Sequence, residues 1–381
     1  MQKRILAVGH DAYPAGAQIV FLHILRWLRE NHEADISLWL MADGELLDEY
    51  ANVVPTRVLP TRSAPKSTPS LMSLPGRARH RLRPRGGKLA PGSVDVIYAN
   101  SAASASLAAE LAAEADCPAI CHVHELDMSI RRFAGRFREA SEHLDRYIAV
   151  SRAVERNLVV NHGIEAERID RIHEGIPLPQ DVGTAQRRSE LRTELRIPLD
   201  AFVIGGCGTV DWRKGSDVFL LVAKALTGKL PQRPVHFLWV GGKPRPLQTV
   251  QYDLERLGLG ATAHFVGQRP DPMTYFALFD AFLLPSREDP FPLVGLEAAA
   301  LGVPIVCFAD AGGMPEFVED DAGYVVPYLD IEGAADRLLA LANSECTRTA
   351  LGRRAAEKVA ERCSIDVIGP QVAAVLDRYL H

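Results

Sequence analysis

Short apolar runs alternate with helix-length stretches along nearly the whole chain, and after a break near residue 180 the alternation begins again. Strands are predicted at Arg4–Val8, Asp35–Met41, Asp95–Tyr98, Ala119–Val123, Arg146–Val150 and Arg168–Ile172. Crossover helices are predicted at Ala17–Glu30, Ser104–Ala115 and Arg152–Asn161. A second series of strands follows at Ala201–Cys207, Val235–Val240, Ala263–Val266, Asp280–Leu284, Val303–Phe308 and Gly323–Val326, with helices such as Ser216–Leu226 and Met273–Phe279 between them. Strand and helix in regular alternation specify a parallel sheet covered on both faces. A chain of 381 residues exceeds what one core usually serves. The expectation is therefore an α/β protein of two similar units, with a cleft between them.

Pro177–Ser189, with two prolines, Gly183 and little apolar content, reads as the linker. From Arg57 to Lys88 the chain holds nine Lys and Arg and no Asp or Glu. Five prolines lie between Pro55 and Pro75. That region reads either as a solvated loop or as a basic patch for anionic lipid head groups or an acceptor diphosphate. It lacks aromatic residues, which argues against single-stranded nucleic acid. The net charge of −5 gives no global reason to expect nucleic acid either. No apolar run approaches the roughly 18–20 residues of a membrane span. The start, Met1 to Gly9, reads as a first strand rather than a signal peptide. The cysteines are scattered without a C-x-x-C pair and read as reduced, structural thiols of a cytosolic protein.

In open parallel sheets ligands lie at the carboxyl ends of the strands. The most informative of these ends is Pro285–Ala298, which sets Asp289 and Glu297 eight residues apart around a helix start. Pro292 suits the first helical turn, and Gly302 ends the helix after Leu301. Apart from Glu297 this helix is apolar all round and reads as buried. A carboxylate there needs partners. Either backbone or water satisfies it, or it accepts hydrogen bonds from a hydroxyl-rich ligand. Gly205–Thr209, Gly241–Gly242 and Gly312–Gly313 are glycine turns whose backbone N–H groups suit phosphate oxygens, and Arg213 and Lys214 are candidate cations for a diphosphate. Several motifs fail. The dinucleotide fingerprint at Gly206-Cys207-Gly208 lacks its third glycine, and Lys214-Gly215-Ser216 reverses the order of a P-loop. There is no D-x-D pair. His122 and His124 lie on one strand, and they are expected on opposite faces and unable to share a zinc.

Taken in order, Val150-Ser151-Arg152 with Leu158, Glu174-Gly175-Ile176-Pro177, Gly208 with Lys214-Gly215, and Val240-Gly241-Gly242 form one pattern. It continues through Phe265-Val266-Gly267, the span from Asp280 to Glu297, Ala298, Ala300, Gly302 and Pro304, and ends at Gly312-Gly313-Met314-Pro315-Glu316. This set resembles the family-4 retaining glycosyltransferases, over nearly the full length and most strongly in the C-terminal half. The resemblance implies the GT-B architecture, two facing Rossmann-like domains with parallel sheets and an interdomain cleft. The expected division is 1–178 on the acceptor side, with a basic insertion at about 55–93, a linker at 179–190, a nucleotide-sugar domain at 191–364, and a C-terminal helix at 365–381 that packs back on the first domain.

The resemblance also implies roles. Glu297 holds the ribose hydroxyls of the nucleotide, Asp289 the hydroxyls of the donor sugar, and Lys214 the diphosphate. Main-chain N–H groups of Phe291, Leu293 and Val294 meet sugar and phosphates. His124 lies beside the transferring sugar, and Gly16 belongs to a loop over the diphosphate. Gly208, Thr209 and Arg213 complete the donor-binding set. Five positions depart from the family pattern. Asp289 stands where Glu is usual, Pro290 and Pro292 where glycines are common, Thr209 where an arginine binds phosphate, and Glu174 where Asn is frequent; Arg213 is the candidate replacement for the arginine. The implied reaction is retaining, metal-independent transfer from a nucleotide-diphosphate sugar to a saccharide or lipid-linked hydroxyl, without a cofactor. The enzyme is expected to be cytoplasmic, with peripheral contact at the inner membrane face through residues 57–88. A nucleotide-sugar 2-epimerase of the same architecture and a catalytically silent sugar-nucleotide binder are the alternatives.

Overall fold

Ile5, Leu6, Ala7 and Val8 are all buried, because the strand they form, β1 (Arg4–Gly9), runs through the middle of a seven-stranded sheet. The computed structural model describes residues 3–60, 89–179, 184–229 and 234–380. They divide into two compact units. The N-terminal unit comprises Met1–Ala149, Asn157–Ile172 and Gly369–His381, and the C-terminal unit Val150–Arg156 and His173–Ile368.

In the N-terminal unit β2 (Asp35–Leu40), β3 (Thr56–Val58), β4 (Val96–Asn100), β5 (Ala119–Val123), β6 (Arg146–Ala149) and β7 (Ile169–Arg171) join β1 in the order β3-β2-β1-β4-β5-β6-β7. Every pairing is parallel. Burial of both sheet faces is why β4 and β5 are continuous apolar runs instead of alternating ones. The order reverses between β1 and β4. Their carboxyl ends, Gly9 and Asn100, therefore bound a crevice where such sheets take ligands.

The C-terminal unit repeats the plan. Its strands are β8 (Phe202–Cys207), β9 (Val235–Val240), β10 (Ala263–Phe265), β11 (Ala281–Leu284), β12 (Ile305–Phe308) and β13 (Gly323–Val326), ordered β10-β9-β8-β11-β12-β13 and all parallel. Phe219, Phe237 and Trp239 meet edge to face in its core. The reversal here falls between β8 and β11, so the loops 208–215 and 285–292 are neighbours at the switch point.

Three expectations change. The insertion assigned to about 55–93 begins with an ordered edge strand, β3, and Arg57 of the basic run lies over Trp39 with its guanidinium carbon 5.1 Å from the ring centroid. Pro55 hid this strand, yet proline is tolerated at a sheet edge; residues 61–88 lie outside the described residues. Second, the linker assigned to 179–190 runs into a helix, Ala185–Glu194, capped by the Thr184 hydroxyl. Only Leu191 of that helix is buried, so there was no apolar periodicity to detect. Third, the strand-and-linker reading put the unit boundary at 178, whereas Val150–Arg156 and His173–Ile368 belong to the second unit. The last helix, Ile365–Asp377, crosses the division. From Gly369 onward it packs on the N-terminal unit, where an added Cβ at Gly369 would come within 2.2 Å of the Trp27 ring. The six cysteines are free.

Candidate functional site

Two glycines in the left-handed region fold the loops at the β8–β11 switch point together. Gly215 (φ 70°) lets the 208–215 loop press on Pro285, where a Cβ would lie 2.0 Å from the carbonyl oxygen. At Gly312 (φ 142°) a Cβ would lie 1.7 Å from the Asp289 carbonyl. In return, Asp289 N–H donates to Ala311 O at 2.7 Å, and Gly313 N–H to Asp289 O at 3.2 Å. Glycine is required at both places because backbone approaches backbone.

This folding brings Lys214 onto Asp289, Nζ to Oδ2 at 2.6 Å. The Ser286 hydroxyl donates to the same oxygen at 3.0 Å, and Arg213 Nη1 is 3.9 Å from Oδ1. Asp289 is 5% exposed, so the charge is kept only because these donors surround it. The resemblance gave Asp289 and Lys214 to different parts of a ligand; here they form one ion pair. Arg213 also donates from Nη1 to Glu288 O at 3.1 Å. Thr209 donates to Asp211 Oδ2 at 2.5 Å, while Asp211 Oδ1 takes the Lys214 N–H at 2.9 Å. The departure from arginine at 209 thus leaves a hydroxyl that shapes the loop. Gly208 turns at φ 148°, and its carbonyl accepts from Trp239 Nε1 at 3.1 Å.

The helix Leu293–Ala300 begins one residue later than expected. Pro292 is its N-cap, extended at φ −71°, ψ 120°, and no side chain caps the helix. Among the described residues no acceptor pairs with the N–H groups of Phe291, Leu293 or Val294. Unpaired donors at a helix start suit an anion. Phe291 is fixed by stacking on His173, centroids 4.6 Å apart and 15° between planes. Glu316 ties this corner, accepting the Arg152 N–H at 2.8 Å with its other oxygen 3.5 Å from His173 Nε2. His173 carried no signal in the sequence.

The same helix is not buried all round. Val294, Glu297 and Ala300 are half-buried while Leu293, Gly295, Leu296, Ala298 and Ala299 are buried. Spacing of three places those residues on one face, which is accessible. Glu297 lies on it, and among the described residues no hydrogen-bond donor reaches its carboxylate. Burial pushes its pKa from the ordinary 4.5 to about 7. The Cys207 thiol, at the end of β8, is pushed up to about 12, by burial first and by Glu297 next, against a lowering by Lys214. Glu297 and Lys214 therefore act on one locus at that strand end.

In the N-terminal unit Gly16 is the exposed first residue of the helix Gly16–Asn31, and again no side chain caps it. His124 Nε2 lies 2.8 Å from Asn100 Oδ1, and Asn100 Nδ2 donates to Ala17 O at 3.1 Å. Asn100 so links His124 to Ala17, the residue after Gly16, across the carboxyl ends of β1, β4 and β5. His124 stands one residue past β5, and its ring centroid lies 4.2 Å from that of His122. The expectation of opposite faces fails, because residues two apart on an extended chain point to the same face. His122 is fully buried, with Nδ1 2.7 Å from the Tyr98 hydroxyl, and burial holds its pKa well below 6.5. Glu125, missed in the sequence, accepts the N–H groups of His124 and Ala102 at 3.0 and 3.1 Å and the Ser101 hydroxyl. A charged residue just after a buried strand was its available signal.

Two parallel-sheet units, each with donors gathered at its switch point, define the class of GT-B proteins. The family described as "Glycosyl transferases group 1" matches residues 187–358, and "Glycosyltransferase Family 4" matches residues 14–179. Only residues 1–13, 180–186 and 359–381 fall outside the two, and the chain belongs to this glycosyltransferase family. It is similar to D-inositol 3-phosphate glycosyltransferase of Corynebacterium kroppenstedtii, 31% identical over 226 residues, 57% of this chain and 49% of that protein. It is also similar to D-inositol 3-phosphate glycosyltransferase 1 of Catenulispora acidiphila, 27% identical over 284 residues, 69% of this chain and 67% of that one. The chain spans about half the length of the curated relatives it matches first. Among solved structures, Anabaena HepE in complex with UDP and glucose superposes with TM-score 0.79 at 22% identity, covering 99% of this chain and all of that one. Sucrose-phosphate synthase of Thermosynechococcus elongatus does so with TM-score 0.75 at 18% identity, covering 99% of each. These likenesses establish the fold. Among the described residues no helix is long and apolar enough to cross a membrane.

Proposed function

We propose that the chain transfers a glycosyl group from a nucleoside-diphosphate sugar to a hydroxyl of a saccharide or lipid-linked acceptor, with retention and without a metal. One observation carries the reading. Among the described residues, Glu297 is a half-buried carboxylate with no protein donor, on the open face of a helix whose first N–H groups are also unpaired. Such a carboxylate is costly until a ligand supplies donors, and a ribose diol supplies two.

In this reading Glu297 holds the ribose. Lys214, Arg213, the turn at Gly208 and Thr209, and the N–H groups of Phe291, Leu293 and Val294 hold the diphosphate. Asp289 faces the donor sugar. The N-terminal unit binds the acceptor, with His124 beside the transferring sugar and Gly16 in the loop over the diphosphate. The bond between anomeric carbon and diphosphate oxygen breaks, and the acceptor oxygen bonds that carbon. The acceptor proton passes to the departing diphosphate. Lys214 and Arg213 supply cationic charge against the leaving group, a contribution of about 2–4 kcal/mol for each contact made only in the transition state. That charge is the ground for proposing metal independence.

The test is nucleoside diphosphate release from UDP-, GDP- and dTDP-sugars, with and without acceptors. The relatives' names put inositol 3-phosphate and the UDP-sugars first among those tried. Release that depends on acceptor supports transfer. An isomerised sugar with donor alone supports an epimerase instead, and a donor bound but never consumed supports a silent binder. We further propose a cytoplasmic enzyme whose residues 57–88 touch anionic lipid. Co-sedimentation with phosphatidylglycerol vesicles but not phosphatidylcholine vesicles supports this, and equal sedimentation opposes it.

A further inference from the structure

Arg287 stitches together the two loops of the switch point. Its backbone N–H donates to Arg213 O at 2.8 Å. Its Nη1 donates to Trp212 O at 2.8 Å and to Asp217 Oδ1 at 2.9 Å, and Nη2 to Asp217 Oδ2 at 2.7 Å. The guanidinium also lies over the Trp212 ring, 5.2 Å from its centroid. The Arg287 side chain is 13% exposed, while its partner Asp217 is 50% exposed. Asp217 belongs to the first turn of the helix Ser216–Thr227, which starts directly after Gly215. One planar fork therefore pins the chain on both sides of Lys214, Trp212 before it and the helix start after it, while the Arg287 backbone N–H holds Arg213. An ammonium group in the same place lacks the planar pair of N–H groups that meets a carboxylate side-on.

Lys214 is a flexible four-carbon stem, and where its ammonium lies depends on where its backbone is held. Asp289 positions the tip; nothing on Asp289 positions the root. We infer that Arg287 is a positioning residue for the diphosphate grip, fixing the 212–215 turn so that Lys214 and Arg213 converge on the phosphates of a nucleoside diphosphate. This rests on the donor reading above.

Calorimetric titration of wild type, Arg287→Ala, Arg287→Lys and Asp217→Asn with UDP, GDP and dTDP, and with UMP, GMP and dTMP, tests it. Wild type is expected to bind one diphosphate more tightly than its monophosphate. In Arg287→Ala the monophosphate affinity stays within about twofold of wild type, while the advantage of the diphosphate falls about tenfold or more. Arg287→Lys is expected to keep part of that advantage. Asp217 is exposed, so Asp217→Asn folds and reports the loss of the fork even if the alanine variant does not. A loss shared equally by mono- and diphosphate marks a merely structural role and overturns the inference, as does an unchanged diphosphate advantage in both Arg287→Lys and Asp217→Asn. In those two cases the donor reading stands. If wild type itself prefers no diphosphate over its monophosphate, the donor reading falls and the inference falls with it.

Discussion

Replacing Glu297 with Gln separates the cost of this carboxylate from its use. Burial raises its pKa in the folded chain from 4.5 to about 7. As pH rises, the unfolded chain loses this proton first, so ionisation favours unfolding. The folded state is therefore unpenalised below about pH 4.5 and carries the full penalty above about pH 7. At roughly 1.4 kcal/mol per pH unit the full penalty is about 3 kcal/mol, most of which develops between pH 5 and pH 8. A buried amide has its own cost, but that cost does not titrate. The stability of Glu297→Gln relative to wild type should thus rise by roughly 2–3 kcal/mol from pH 5 to pH 8. For a unit of this size that is a relative shift in Tm of about 5–10 °C. Thermal scans of both proteins at half-unit steps of pH measure it, and every other titrating group cancels in the difference. A flat difference, or one that falls as pH rises, refutes the reasoning, because it means protein donors already stabilise the ionised acid. The same variant should lose activity, as expected when a site trades stability for function.

Removing the ammonium in Lys214→Ala leaves Asp289 buried with only Ser286 and a distant Arg213, so it should destabilise the chain by about 3 kcal/mol as well as lowering turnover on the order of a hundredfold. Adding Asp289→Asn should restore the melting temperature but not the turnover; recovery of both would show that the lysine is structural. Gly312→Ala should cost more than about 2 kcal/mol in denaturant titration, since its Cβ meets the Asp289 carbonyl at 1.7 Å in a left-handed conformation. Donor affinity in wild type should rise with pH through about 7, as Glu297 ionises and becomes the better acceptor, and should stay flat in Glu297→Gln. A fall in wild-type affinity over that range would count against the ribose role.

Most of the architecture was legible because a buried parallel strand is a nearly continuous apolar run, as in Val235–Val240, and few other elements look like it. The elements that escaped are those whose burial is slight. The helix Ala185–Glu194 buries one residue, and β3 is three residues long beside a proline. Glu297 and Lys214 were legible as charges at strand ends. Partnerships were not. That Lys214 pairs with Asp289 and that Arg287 reaches back to Trp212 and Asp217 depend on two loops about 75 residues apart meeting at a switch point, and that His173 stacks on Phe291 depends on a still more distant segment. The reading of the helix Leu293–Ala300 as buried all round failed for a related reason. Val294 and Ala300 are apolar, so composition cannot tell an open face from a covered one.

The central claim is that the carboxylate of Glu297 receives the ribose hydroxyls of a nucleoside diphosphate. Binding of the tightest of UDP, GDP and dTDP, compared with its 2′,3′-dideoxy analogue, in wild type and in Glu297→Ala, measures that contact as a double cycle. The account predicts a loss of about tenfold or more for the dideoxy ligand in wild type, the scale of a hydrogen bond to a charged group, and no more than about twofold in the variant. An equal loss in the two proteins contradicts it.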